Sequence, residues 1–141
     1  MIDLQKNSEF VQAITSVYSA DLTTFINRLD QVDGNYDDGE HGPDVNVPLL
    51  LTGAMGMCGE AGEFSEIVKK VFFHGKRMDA EVLAHMNKEL GDVIWYWTNT
   101  CRALGLDPNQ VIKDNVEKLK SRYQGGEFSV EASETRKEGD I

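Results

Sequence analysis

Four stretches of this chain repeat apolar residues at steps of three to five, and no stretch alternates apolar with polar residues over the length of a strand. Such spacing follows the turn of an α-helix, so the apolar side chains can leave water only by packing helix against helix. An all-α, four-helix-bundle-like fold is therefore expected. Phe10, Ile14, Val17, Leu22, Phe25 and Leu29 mark a first helix over about 8–29 with a buried stripe. Ala54, Met57, Ala61, Phe64, Val68 and Val71 mark a second over 46–73, on the three-four seam of packed antiparallel helices. Leu83, Met86, Leu90, Ile94, Trp97, Cys101 and Leu104 are expected to be buried on a third helix over 79–104. Ile112, Val116, Leu119 and Tyr123 define a fourth over 107–123.

The breaks between these stretches carry their own chemistry. Asn46 is placed to cap the second helix, with Pro48 in its first turn, and Asp107 to cap the fourth, with Pro108 behind it. Gly75 interrupts "HGKRMD" after the second helix, and Gly125 and Gly126 close the fourth. Residues 30–46, "DQVDGNYDDGEHGPDVN", have almost no apolar anchor and read as a long, mobile connection. Residues 127–141 read as a polar arm or disordered tail. With 141 residues and 40% hydrophobic content, one domain over 1–126 is expected, and there is no internal repeat.

Charge narrows the classes of function. The formal net charge of −10 argues against broad attraction to nucleic acid or an anionic membrane. A small anionic ligand stays admissible if a metal mediates the contact. The N-terminus lacks the basic start and apolar core of a signal peptide, and no apolar run approaches a membrane span, so a soluble cytoplasmic protein is expected. Cys58 and Cys101 sit in helical apolar contexts and read as reduced core thiols.

Against that background the acids stand out. "CGEAGEFSEIVKK" sets Glu60, Glu63 and Glu66 at three-residue intervals in the second helix. Measured from that helix's apolar stripe, Glu60 lies roughly 70° away, Glu63 about 130° on the same side, and Glu66 nearly opposite, in solvent. In "KELGDVIWYW" of the third helix, Glu89, Asp92 and Tyr96 share one flank. If the two helices are antiparallel neighbours, Glu60, Glu63, Glu89 and Asp92 converge on one groove, where they must take up protons or bind cations. An all-oxygen set favours Mg²⁺ or Mn²⁺, since no His or Cys is placed to complete it. Read alone, the same four residues are also compatible with ordinary solvated helix-face acids. Gly59, Gly62 and Gly91 beside them cost about 1 kcal/mol each in a helix, which invites a reason such as close approach of a helix or ligand. On the fourth helix Asn115, Lys118 and Arg122 project together, and donors of this kind beside a metal groove suit a polyphosphate.

"LLLTGAMGMCGEAGEFSEIVKK", "NKELGDVIWYW" and "NVEKLKSRYQGGEFS", in this order, resemble the MazG-like branch of the all-α nucleoside triphosphate pyrophosphohydrolases, short single-domain bacterial and phage type. The likeness covers about residues 46–130. It implies Mg²⁺ ions on Glu60, Glu63, Glu89 and Asp92 and hydrolysis of an NTP or dNTP to monophosphate and pyrophosphate. Gly59-Glu60 departs from relatives with two adjacent acids there, which leaves the metal count open. By the same resemblance Glu60 or Glu63 helps deprotonate the water, Lys118 and Arg122 neutralise the leaving pyrophosphate, and Asn115 and Tyr96 bond phosphate or sugar. Lys69, Lys70 and Asn46 are secondary candidates. Phe72, Phe73 and Trp95 fit either base stacking or the core. A homodimer or homotetramer is expected from the apolar surface a four-helix unit leaves uncovered. The competing readings are a non-hydrolytic nucleotide-sensing module and a di-iron bundle; the latter wants Glu-x-x-His, which His41, His74 and His85 do not provide.

Overall fold

In a computed structural model of the chain, residues 3–33 and 44–135 are described. They form seven helices and no strand: α1 (Leu4–Ile14), α2 (Val17–Ala20), α3 (Leu22–Val32), α4 (Val47–His74), α5 (Ala80–Ala103), α6 (Pro108–Arg122) and α7 (Val130–Glu134). The antiparallel hairpin of α4 and α5 carries most of the tertiary packing.

Side-chain caps set where these helices begin. Asn46 Oδ1 accepts the Leu49 amide at 2.9 Å, Asp79 Oδ1 accepts that of Val82 at 3.0 Å, and Asp107 Oδ1 accepts that of Asn109 at 2.9 Å. Gly75 closes α4 with φ +71°, a left-handed conformation that glycine adopts without a Cβ penalty, while Lys76 N donates to Lys70 O at 3.0 Å. At the far end of the hairpin, Asn46 N donates to Ala103 O at 2.9 Å, tying the start of α4 to the end of α5. Val47 N donates to Asp33 Oδ1 at 3.0 Å, which joins the end of α3 to the same corner.

Three expectations are corrected. The first helix is not continuous over 8–29: Ser16 and Asp21 act as caps, accepting the amides of Tyr18 and Thr24, and break the run into α1, α2 and α3. Its stripe is not buried, since Phe10, Ile14, Val17, Leu22 and Phe25 are all exposed. The tail holds a short helix, α7, capped by Ser129. The expected mobile stretch falls mostly at 34–43 and the end of the tail at 136–141, outside the described residues.

The third correction concerns the hairpin seam. Leu83, Leu90 and Ile94, expected to be buried, are 57%, 52% and 60% exposed. The face of α5 turned to α4 instead runs through Val82, Met86, Glu89, Val93, Tyr96, Thr100 and Ala103, and that of α4 through Gly53, Gly56, Glu60, Phe64, Ile67 and Val71. Glycine is the cause at one end. A Cβ on Gly56 would collide with the Tyr96 ring, and one on Gly53 with Thr100 Oγ1, so the backbones approach here only because both side chains are missing. Gly59, Gly62 and Gly91, singled out in the sequence, have open space where a Cβ would stand.

Candidate metal centre

Turning both helices toward their small residues brings the acids into the seam. Relative to Glu60, the α4 seam residues scatter within about 60°, so Glu60 lies on the contact line and not on its flank. Glu89 occupies the corresponding place on α5 and is buried. Each of Glu60, Glu63 and Glu89 offers a carboxylate oxygen within 4.8 Å of the other two. Asp92 lies outside that tight group, yet its charge acts on Glu60. Partial desolvation, then the neighbouring charges of Glu63 and Asp92 and a hydrogen bond with Glu89, hold the Glu60 carboxyl above its ordinary pKa.

Glu66 is separated from this group by its own helix. Lys69 and Lys70 both pair with it, and the Lys69 hydrogen bond leads in lowering its pKa. Its charge is thus balanced locally.

Glu89 has a partner that the sequence reading passed over. His85 Nε2 stands 2.9 Å from Glu89 Oε1, one turn earlier on α5. The signal was the i, i+4 spacing, which a search for Glu-x-x-His does not register. His85 also lines a cleft of about 210 Å³ with Lys76, Glu81 and Lys88, on the same flank of the hairpin as Asp92.

The remaining candidates fall elsewhere. Asn115 and Lys118 line a mostly apolar cleft of about 660 Å³ with Met57, Val93, Ile94 and Trp97, one turn from Glu60. By helical phase this cleft opens on the opposite flank of the hairpin from Glu63 and Asp92. Arg122 lines a separate cleft with Ser129, Glu131 and Thr135 around α7. The Tyr96 ring covers Gly56 and meets Trp95 edge-on at 4.8 Å between centroids. Phe72, Phe73 and Trp95 are exposed, and Asn46 spends its side-chain oxygen on the helix cap. Cys101 is buried but Cys58 is exposed, and both are free thiols. No helix among the described residues is long and apolar enough to cross a membrane.

The family profile of the MazG nucleotide pyrophosphohydrolase domain matches residues 51–126, which contain all four acids and α6. The Gene 37 protein of Mycobacterium phage L5 is 36% identical over 77 residues, covering 51% of this chain and 64% of that protein. No solved structure matches.

Proposed function

The chain belongs to the MazG nucleotide pyrophosphohydrolase family, and from that premise we propose that it hydrolyses a nucleoside triphosphate, ribo or deoxyribo, to the monophosphate and pyrophosphate. Mg²⁺, with Mn²⁺ as substitute, would be held by Glu60, Glu63, Glu89 and Asp92. The observation that carries this reading is the convergence of Glu60, Glu63 and Glu89 within 4.8 Å on one seam. Desolvation first, and then repulsion from Glu63 and Asp92, raise the Glu60 pKa, and a divalent cation relieves that repulsion. The donors are hard oxygens, which fits Mg²⁺ and Mn²⁺. When bound, the cation supplies positive charge to the triphosphate oxygens and makes a water molecule more acidic.

The chain's own groups do the rest. A carboxylate of the Glu60 and Glu63 pair takes the proton of the attacking water. Glu89 stands on the seam, drawn out of solvent. The family likeness also assigns Asn115 and Lys118 to the substrate; the cleft they line opens on the flank opposite Glu63 and Asp92. The likeness likewise assigns Arg122, which lines its own cleft beside α7, to charge on the pyrophosphate, and the Tyr96 hydroxyl to the phosphate or sugar. Work of this kind places the protein in nucleotide-pool control or house-cleaning in the cytoplasm.

The same rotation that brings the acids together leaves Leu83, Leu90 and Ile94 in water. Covering this stripe with a second copy makes the active form a homodimer, or a homotetramer built from two such pairs.

Product analysis tests the reaction. Incubation with Mg²⁺ and a panel of standard and modified NTPs and dNTPs should yield monophosphate and pyrophosphate, and Glu89→Gln should abolish both. Diphosphate and phosphate as products would place the attack on another phosphorus, and tight nucleotide binding without turnover would establish a sensing module instead.

A further inference from the structure

We propose that His85 is a positioning residue for the metal centre, gripping one oxygen of Glu89 so that the other is presented to the cation. The proposal rests on the reading of Glu60, Glu63 and Glu89 as cation ligands. Its geometric basis is the 2.9 Å contact between His85 Nε2 and Glu89 Oε1. The two ends of that contact differ in surroundings: the Glu89 side chain is 8% exposed and that of His85 52%. A carboxylate drawn this far out of water needs donors, and an imidazole reaching in from the surface brings one.

The His85 contact needs no proton on Glu89, because the imidazole can carry the shared hydrogen itself. Placed on Nε2, that hydrogen restrains Glu89 both before and after a cation arrives.

Residue type matters here. A lysine at position 85 would neutralise Glu89 and compete with the metal for its charge. An imidazole N–H orients the carboxylate, which is the role that outer partners of metal ligands commonly play. Lys88, next to Glu89 in sequence, projects about 100° away from it around the helix and does not substitute for this contact.

Calorimetric titration of the metal-free protein with Mn²⁺ separates this proposal from the reading beneath it. The wild type should bind Mn²⁺ and Glu89→Gln should lose binding. His85→Ala should bind about 10- to 100-fold more weakly, as expected for loss of such a partner. His85→Gln, whose amide N–H can span the same helical turn, should recover most of the affinity. If His85→Ala binds within about twofold of wild type while Glu89→Gln fails, the positioning role is overturned and the metal reading stands. If the wild type and Glu89→Gln bind alike, the metal reading falls and this proposal with it. A second measurement needs no variant: ¹⁵N spectra of the imidazoles in the metal-free wild type should show His85 with its hydrogen on Nε2, and a hydrogen on Nδ1 alone at neutral charge overturns the proposal.

Discussion

Gly56→Ala and Gly59→Ala make the same chemical change one turn apart on α4, and the seam predicts opposite outcomes. In a helix interior, alanine is favoured over glycine by about 1 kcal/mol. At Gly59 a Cβ enters open space, so Gly59→Ala should gain close to that amount. At Gly56 the new methyl would overlap the Tyr96 ring, including Cγ beside the backbone, so turning the far end of the ring does not clear it. Overpacking of this kind costs about 1–3 kcal/mol, and with the propensity gain subtracted Gly56→Ala should be neutral to about 2 kcal/mol destabilising. The two variants should therefore differ by about 1–3 kcal/mol. Urea unfolding at one fixed protein concentration measures it, since assembly would make stability depend on concentration. Tyr96→Ala removes the obstacle, and in that background Gly56→Ala should become stabilising, so the coupling of the two sites is itself observable. Equal stability of Gly56→Ala and Gly59→Ala would refute the close approach of α4 and α5 at this point.

Asp79→Ala removes the cap of α5 and should cost about 1 kcal/mol, read from the urea midpoint with unchanged slope. Glu66, lowered first by its Lys69 hydrogen bond, should titrate below the usual 4.5 in carboxyl NMR, and Lys69→Met should move it back up. Because the folded-state value is the lower one, the Glu66 contribution to stability is present above the unfolded pKa and fades as pH falls through the folded value, in a window starting just under 4.5. Leu90→Glu, on the exposed stripe, should shift the light-scattering mass from oligomer toward monomer; a monomeric wild type at micromolar concentration would rule out assembly through that stripe.

Much of the architecture was legible because helix spacing and caps are local. Asn46 and Asp107 announce the starts of α4 and α6 by residue type alone, and Gly75 announces an end. The first helix was misjudged because its spacing runs on through Ser16 and Asp21, whose side chains bond the backbone and stop it. The acids were identifiable as a group, but their place was set by which face α4 turns to α5. Apolar size points to the Leu90 and Ile94 face, whereas close approach at Gly53 and Gly56 selects another, and nothing local to either helix ranks the two. His85 went unread for a related reason: its significance depends on Glu89 being buried, which only the packed pair decides.

The division of the hairpin into two flanks makes helical phase a forecasting tool for a mutational screen. Along α5, residues near the phase of Asp92 and His85 should score in metal binding, and those near Leu83, Leu90 and Ile94 in assembly. A position's assay can thus be named from its number alone, by counting turns from Glu89. The two traits should then separate under random mutagenesis, so the face that meets another copy can drift in sequence while the carboxylates opposite it stay fixed.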